Sequence, residues 1–321
     1  MRLLFITATR IGDAILSSGL LQTLIDRHPG LQVTVACGRA AAPLFQAVPN
    51  LERLIVIDKK RASWHWVDVW LMTVATRWDI MVDLRGAPIT YAIPSKRTYR
   101  LGRSKGGAHG DEHRVVRMGR ILGMQDAPPT PHLWTRPEDD ARARSLISDG
   151  SPVIAIGPTA NWSAKMWPVD RFATLVQNLT EAGGLWPGAR IAILGHSDER
   201  SLAMPLIDAI PTERRIDLMG SIDLLTAFAC LQRATMYVGN DSGLMHLAAA
   251  AGIPTLGLFG PSKENHYAPW GAHCKAVRAG LSYDEILPEG FDHRTSGSLM
   301  TGLSVEQVED TVRDLWQQVA S

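Results

Sequence analysis

The chain has 321 residues, of which 45% are apolar and 20% are charged, so its composition is that of a globular protein and its length suggests two domains. Its net charge is +1, and no apolar run approaches the roughly 20 residues that span a membrane. Cys37, Cys230 and Cys274 are scattered, which suits a reducing compartment and indicates neither a disulfide framework nor a zinc site. We expect a cytoplasmic protein whose first residues, MRLLFITATRIGD, form a strand rather than a signal peptide.

Strand-like and helix-like segments alternate through the first half of the chain, which predicts a parallel sheet with helices on both faces. The predicted strands are residues 2–9, 31–38, 51–58 and 78–86, and the predicted helices are residues 12–28, 40–48, 63–77 and 111–123. Residues 124–150 hold four prolines and an acidic cluster, so we interpret them as a linker with a short helix.

The same alternation restarts after the linker. The predicted strands are residues 152–158, 189–196, 214–220, 235–241 and 253–260, and the predicted helices are residues 168–183, 198–210, 222–233, 243–251 and 304–321. The last helix opens with Ser304 as N-cap and Gln307 three residues later. We therefore predict an α/β protein with domains at residues 1–145 and 146–321, the last helix being free to pack back on the first domain.

Charge is distributed unevenly between the two halves. Residues 1–150 carry a net charge of +7 and residues 151–321 a net charge of −6. Much of the positive excess lies in residues 96–120, which hold eight Lys and Arg against Asp111 and Glu112. A solvated surface and a site for an anionic ligand are both open interpretations of this basic stretch.

The stretch YVGNDSGLMHLAAAAGIP, residues 237–254, places small and polar residues where a predicted strand meets a predicted helix. Asn240, Asp241, Ser242 and Gly243 are all good N-cap residues, so capping alone would explain them. The same helix start could bind a phosphate, because its unpaired N–H groups and dipole attract anions and Gly243 lets a ligand approach the backbone. His246, four residues after Ser242, is more typical of a hydrogen-bonded core residue than of a catalyst.

Two further residues follow predicted strands, where parallel sheets place their ligand sites. Asp13 lies at the start of the first helix, where it is either a favourable acid for the helix dipole or a general base. Lys165 is the only lysine between residues 106 and 262, and Trp162 and Trp167 flank it. A lone loop lysine is usually only solvated, but this position makes it a good candidate phosphate ligand.

Several common motifs are absent from the sequence. It contains no G-x-G-x-x-G fingerprint, no P-loop, no H-E-x-x-H, no C-x-x-C and no G-x-S-x-G. It also contains no D-x-D, the carboxylate pair that commonly holds a divalent metal on a nucleotide diphosphate. A bound diphosphate would have to be neutralised by lysine and helix-end N–H groups.

Three segments in this order resemble the heptosyltransferase family, glycosyltransferase family 9. They are RIGDAILSSGLLQTL, GPTANWSAKMWPVDRF and VGNDSGLMHLAAAAGIPTLGLFGP, of which the last is the most specific. The resemblance implies a GT-B fold, with two Rossmann-like domains whose parallel sheets face a central cleft. It also implies an inverting, metal-independent enzyme, without a cofactor, that moves heptose from ADP-heptose onto a lipopolysaccharide core or a related glycolipid.

The resemblance assigns roles to individual positions. Asp13 matches the general base, and Lys165 matches the lysine that contacts the donor phosphates. The remaining donor-binding positions are Thr159, Asp217, Asp241, Ser242, Gly243, Leu244 and His246, with Asp217 as a looser match to an acidic ribose ligand. For the anionic glycolipid acceptor we predict contacts from Gly12 and from the basic stretch, namely Arg97, Arg100, Arg103, Arg117 and Arg120.

The acceptor also raises the question of membrane contact. The basic stretch could meet the acidic cytoplasmic surface of the inner membrane, which would make the protein peripheral there. Residues 60–78, KRASWHWVDVWLMTVATRW, depart from the family by their many tryptophans. These tryptophans fit either the core face of an amphipathic helix or an interfacial membrane contact.

Three other functions remain open at the level of sequence. A GT-B sugar-nucleotide 2-epimerase would bind the donor but need no acceptor. A nucleotide-sugar-binding protein would keep the site without turnover, against which Asp13 argues. A nicotinamide dehydrogenase is disfavoured by the missing glycine fingerprint. No nucleic-acid partner is expected.

Overall fold

The computed structural model describes residues 1–102, 112–286 and 296–320. These residues form two compact units, Met1–Trp134 and Thr135–Ser321. Each unit contains its own parallel sheet, and buried apolar side chains from strands and helices pack against it. The alternation of strands and helices read from the sequence is therefore present in both units.

The first unit is built on a five-stranded sheet. Its strands are β1 (Arg2–Ile6), β2 (Gln32–Gly38), β3 (Leu51–Ile57), β4 (Trp78–Asp83) and β5 (Ser95–Arg100). Its helices are α1 (Ile11–Arg27), α2 (His65–Thr73) and α3 (Arg114–Gly119). The strand order is β3-β2-β1-β4-β5 with every neighbouring pair parallel. Strands β1 and β4 are buried at nearly every position and lie in the interior of the sheet, where both faces are covered.

The first unit differs from the sequence prediction at three places. The predicted helix at residues 40–48 is a 3₁₀ turn at Ala42–Phe45, with a proline near its start. Only part of the predicted helix at 111–123 is α-helical, as α3, and a 3₁₀ turn at Arg120–Leu122 follows it. Strand β5, SKRTYR, was not predicted because it is a polar edge strand without an apolar run.

The second unit is built on a six-stranded parallel sheet of order β11-β10-β9-β6-β7-β8. Its strands are β6 (Val153–Gly157), β7 (Arg190–Ile193), β8 (Arg215–Asp217), β9 (Met236–Asn240), β10 (Thr255–Phe259) and β11 (Cys274–Arg278). Its helices are α4 (Pro137–Leu146), α5 (Val169–Thr180), α6 (Arg200–Ala209), α7 (Leu224–Leu231), α8 (Gly243–Ala250), α9 (Glu264–Tyr267), α10 (Tyr283–Ile286) and α11 (Val305–Ala320). Like β5 of the first unit, the edge strand β11 was not predicted from the sequence.

Helices α4 and α11 both pack within the second unit. Arg136, the N-cap residue of α4, contacts Asp223 of the α7 N-terminus at 3.4 Å, so the unit begins before the predicted boundary at residue 145. Val308, Val312 and Leu315 of α11 belong to the same buried core as α5. The predicted capping box of α11 is confirmed. The backbone N–H of Gln307 donates to the Ser304 hydroxyl, and the backbone N–H of Ser304 donates to the side-chain oxygen of Gln307.

The tryptophans of residues 60–78 divide between core and surface. Trp66 and Trp70 pack against the core of the first unit, and Trp78 is fully buried in β4. Trp64, at the start of α2, is 62% exposed. The core interpretation therefore holds for three of these four tryptophans. Across the described ranges, no helix combines the length and the apolar character needed to cross a membrane.

The three cysteines are free thiols. Burial raises the pKa of Cys37 to about 12 and that of Cys230 to about 11. Both side chains therefore stay protonated at neutral pH and pack as small apolar groups. Among the residues that the structure describes, no group of three or more His, Cys, Asp or Glu side chains is arranged to hold a metal ion.

Two glycines make room for a buried tyrosine at the centre of the second sheet. The Tyr237 ring of β9 is fully buried, and Gly157 and Gly239 pair with each other at the ends of β6 and β9. A Cβ added at Gly157 would overlap the Tyr237 hydroxyl and lie 2.9 Å from the ring Cζ. Burial also raises the pKa of Tyr237 well above its ordinary value, so the phenol stays neutral.

Gly157→Ala is expected to lower the free energy of unfolding by about 1–3 kcal/mol, because the core must shift to admit the methyl group. Denaturant unfolding of the variant measures this loss. Gly183→Ala is the matched control, since a Cβ there meets nothing within 4 Å. Adding Tyr237→Phe to Gly157→Ala should restore part of the stability, and an undiminished loss in the double variant would contradict the proposed overlap.

Candidate active site

An ion pair stands at the carboxyl ends of β6 and β9. The Lys165 ammonium lies 2.5 Å from Asp241 Oδ2, and the two side chains are largely buried. Lys165 ends a 3₁₀ turn in the loop after β6, and its Nζ also lies 5.6 Å above the Trp162 ring. These two residues are 76 positions apart in the sequence, and the adjacency of β6 and β9 brings them together. Asp241 therefore holds the Lys165 ammonium in place at the end of the sheet.

Asn240 fixes the loop that carries Lys165. Its side-chain amide is fully buried, donates to the Pro158 carbonyl at 2.8 Å and accepts from the Trp167 backbone N–H at 2.9 Å. Both ends of the loop are therefore tied to the last residue of β9. Because these hydrogen bonds use both ends of the amide, Asn240 holds the position of Lys165 instead of capping α8.

Helix α8 begins at Gly243, two residues after Asp241, without a side-chain cap. Ser242 is its N-cap residue, but the Ser242 side chain makes no capping hydrogen bond. Asp241 is engaged by Lys165, so the expectation that this stretch caps the helix through its side chains is wrong. The N–H groups at this helix start thus have no side-chain acceptor from the N-cap residue, and the helix start follows Asp241, the partner of Lys165, closely in the chain. Such an end is suited to an anion.

The other predicted donor residues lie on the same unit. Gly243 and Leu244 open α8, and His246 is buried in the helix behind them. Thr159 is buried in the loop after β6 and donates its hydroxyl proton to Glu199 Oε2 at 2.7 Å. Glu199 also accepts from the His196 backbone N–H at 3.2 Å, which links the loops after β6 and β7.

Asp217 at the end of β8 is held by an arginine. The Arg200 guanidinium donates to both carboxylate oxygens, at 2.9 and 2.5 Å, and this pairing holds the pKa of Asp217 below its ordinary value. The Met219 N–H adds a third hydrogen bond at 3.2 Å. Asp217 therefore remains ionised, but its two oxygens already have partners within the chain.

The first unit contributes a separate group of charged residues around Asp13. Asp13 lies in the first turn of α1, and its Oδ1 lies 3.6 Å from the Arg114 guanidinium of α3. Arg114 and Arg117 are three residues apart and thus share a face of α3. Within the described ranges, Asp13 Oδ1 and the Nε atoms of Arg114 and Arg117 are buried without a hydrogen-bond partner. A carboxylate beside the incompletely paired Arg114 guanidinium, with Arg117 one helical turn further along α3, is suited to a hydroxyl-bearing anion.

The other predicted acceptor residues are dispersed or already paired. Gly12 precedes Asp13 in α1, which keeps it next to this group. Arg97 is exposed in the middle of β5, whereas Arg100 donates to the Thr90 carbonyl and stacks on the Tyr91 ring. Arg120 forms an ion pair with Glu112. Arg103 lies outside the described residues.

Three residues in these groups were not predicted as site residues. Arg114 was only one member of the basic stretch, although its spacing to Arg117 on a short helix was a usable signal. Asn240 ends β9 and Glu199 lies in the loop after β7, and in the sequence both resemble ordinary loop and cap residues. Their roles depend on contacts with Thr159 and with the Lys165 loop, which no local pattern shows.

Comparisons with known proteins identify the family. The sequence model of glycosyltransferase family 9 (heptosyltransferase) matches residues 111–285, more than half of the chain. The chain belongs to this family. It is therefore a glycosyltransferase, as its sequence motifs predicted, and the epimerase alternative is weakened.

Individual relatives agree with the family match. The chain is 24% identical over 322 residues to lipopolysaccharide heptosyltransferase 2 of Salmonella typhimurium, covering 89% of this chain and 90% of that protein. A solved glycosyl transferase family 9 protein from Veillonella parvula superposes with a TM-score of 0.76 at 23% identity, covering 100% of this chain and 97% of that one. The E. coli ADP-heptose lps heptosyltransferase II superposes with a TM-score of 0.73 at 20% identity, with both chains covered completely. These similarities confirm the predicted α/β, GT-B fold.

Proposed function

We propose that this glycosyltransferase moves heptose from ADP-heptose onto the lipopolysaccharide core or a closely related glycolipid. The observation that carries the proposal is the Lys165–Asp241 pair beside the uncapped start of α8, in a chain that belongs to the heptosyltransferase family. An ammonium and a helix N-terminus together provide the positive charge that a departing nucleotide diphosphate requires. The names of the relatives support heptose and ADP as the parts of the donor.

The proposed reaction is a single inverting displacement. The Asp13 carboxylate takes the proton of the acceptor hydroxyl, whose oxygen then forms a bond to the anomeric carbon of the donor sugar. The bond between this carbon and the β-phosphate oxygen breaks, and its electron pair leaves with ADP. Lys165 and the N–H groups at the start of α8 stabilise the negative charge that develops on the diphosphate. In this proposal Thr159, Asp217, Ser242, Gly243, Leu244 and His246 line the donor site around these groups.

The acceptor side of the proposal rests on the group around Asp13. Arg114 and Arg117 would pair with a phosphate or carboxylate of the acceptor, which would hold its hydroxyl near Asp13. Gly12, Arg97, Arg100, Arg103 and Arg120 remain proposed acceptor contacts. Because the acceptor is a membrane lipid, we also propose that the enzyme meets it as a peripheral protein at the cytoplasmic face of the inner membrane.

The proposed function is tested by transfer assays with ADP-heptose and a heptose-free lipopolysaccharide core acceptor, in excess EDTA. We expect heptose transfer at the same rate with EDTA as with added Mg²⁺, because Lys165 and helix N–H groups replace a metal on the diphosphate. Calorimetry with ADP, UDP and GDP in EDTA tests the base of the donor separately. A rate that EDTA abolishes and Mg²⁺ restores would refute metal independence. Sugar interconversion without any acceptor would instead support the epimerase.

A further inference from the structure

Helix α2 exposes apolar side chains on the side that faces away from the core. The exposed fractions are 62% for Trp64, 38% for Val67, 61% for Leu71 and 48% for Met72. We call these four side chains the α2 outer face. Among the described residues, these are four of the ten large apolar side chains that are exposed. Their concentration in nine consecutive positions distinguishes them from the single apolar residues that are normal on a protein surface.

The helical repeat explains why this face exists. Successive residues of an α-helix are rotated by about 100° from each other, so positions 64, 67, 68, 71 and 72 share one side. His65, Val69 and Thr73 are buried on the other side, with Trp66 and Trp70 partly buried against the core. A surface helix normally carries polar residues on its outer side. On the outer side of α2 the only polar side chain is Asp68. Its charge is neutralised by Lys60, whose Nζ lies 2.6 Å from Asp68 Oδ2.

Basic residues flank the α2 outer face at both ends. Lys59, Lys60 and Arg61 are exposed immediately before Trp64, and Arg77 is exposed after the helix. Arg53 of β3 donates to the Met72 carbonyl at 2.7 Å, which places a further guanidinium at the C-terminal end of α2. Asp58, the acidic neighbour on the N-terminal side, is paired with Arg39 at 2.5 Å. Residues 59–77 contain four Lys and Arg against one carboxylate.

Two residues with unusual backbone angles lie immediately before the exposed Trp64. Ala62 and Ser63 both have positive φ angles, 50° and 60°, in the left-handed region that residues with a Cβ rarely adopt. This unusual backbone separates the basic residues 59–61 from the helix. A second exposed aromatic residue, Tyr91, lies on the neighbouring segment and is 78% exposed, and the adjacent Ala92 carbonyl accepts from the Trp70 indole at 3.3 Å.

We infer that the α2 outer face is the surface by which the enzyme binds the anionic leaflet that carries its acceptor. An apolar face that contains tryptophan and is flanked by Lys and Arg has the composition of an interfacial membrane helix. The basic flanks select an acidic lipid surface by charge complementarity. The inference rests on the proposed function in one respect, since the lipid-borne acceptor supplies the reason for membrane contact.

The test is cosedimentation of the full-length protein with acceptor-free vesicles of phosphatidylethanolamine and phosphatidylglycerol. We expect binding that weakens with added salt and that is much weaker with pure phosphatidylcholine vesicles. Trp64→Ser combined with Leu71→Ser is expected to lower the partition coefficient about tenfold or more, because two exposed apolar side chains are lost. Leu202→Ser combined with Met204→Ser is the matched control, since Leu202 and Met204 are exposed on α6 at 50% and 36%.

Two outcomes would overturn the inference. Either the unaltered protein fails to bind the anionic vesicles at low salt, or the α2 variant binds them as well as the control variant does. A change in sedimentation velocity of the α2 variant without vesicles, with vesicle binding intact, would show that the face binds protein instead. Transfer to a detergent-solubilised acceptor tests the proposed function independently, because this reaction needs no vesicle.

Discussion

Lys165→Ala is expected to lower kcat for heptosyl transfer about 10²–10³-fold, because it removes the ammonium that pairs with Asp241 at the carboxyl end of β6. Lys165 Nζ is held 2.5 Å from Asp241 Oδ2, so its charge is fixed before the donor arrives. Charge developing on the departing diphosphate would meet an ammonium that needs little reorganisation. Steady-state kinetics with ADP-heptose and calorimetry of ADP in EDTA measure the effects on turnover and on donor binding.

Variants of the partner residue separate charge from position. Asp241→Asn keeps the shape of the side chain but leaves Lys165 without its anion, so we expect a smaller loss of kcat than in Lys165→Ala. Once Lys165 is absent, Asp241→Asn should cost little more, because the two residues act as one pair. Lys275→Ala, on the edge strand β11 of the same unit, is the matched control and should leave kcat unchanged. Equal kcat values for Lys165→Ala and the unaltered enzyme would refute the proposed role.

The central strands could be predicted from sequence, whereas two edge strands could not. β1, β4, β6, β9 and β10 are buried almost throughout, and their apolar runs are visible in the sequence. β5 and β11 pair with one neighbour only, and charged residues interrupt any apolar run in their sequences, SKRTYR and CKAVR. An edge strand needs no continuous apolar run, because one side and part of its faces meet solvent.

The site could be predicted only in part, for a related reason. Lys165 stood out because no other lysine occurs nearby in the sequence, but its pairing with Asp241 depends on β6 and β9 being neighbours in the sheet. Asn240 resembles a cap in the sequence, yet its side chain is occupied by the Pro158 carbonyl and the Trp167 N–H. Local spacing identifies residues at strand ends, and only the strand order determines which of them meet.

The basic stretch shows the same limit on the acceptor side. Arginines at residues 96–120 are alike in sequence, but the structure gives them different partners. Arg100 stacks on Tyr91 and Arg120 pairs with Glu112, whereas Arg114 reaches Asp13. Residue type alone therefore could not separate arginines that hold the fold from one that lies beside the proposed base.

Asp13→Asn is expected to lower kcat about 10²–10⁴-fold with little change in ADP affinity, because the amide cannot accept the proton of the acceptor hydroxyl. Arg114→Gln should act differently. It keeps the carboxylate but removes the guanidinium 3.6 Å away, so we expect the acceptor KM to rise about tenfold with a smaller fall in kcat. Arg114→Lys should recover part of this loss, since it restores the charge.

Arg39→Gln is the matched control for Arg114→Gln, because Arg39 is an exposed arginine of the same unit that pairs with Asp58. Its kinetics should match those of the unaltered enzyme. Thermal unfolding of all four variants distinguishes lost chemistry from lost folding, since the Asp13–Arg114 pair is partly exposed and contributes little to stability. If Asp13→Asn retained full kcat, Asp13 could not be the base, and the proton of the acceptor hydroxyl would have to pass to another group. If Arg114→Gln changed kcat and not KM, Arg114 would act through Asp13 and would not bind the acceptor anion.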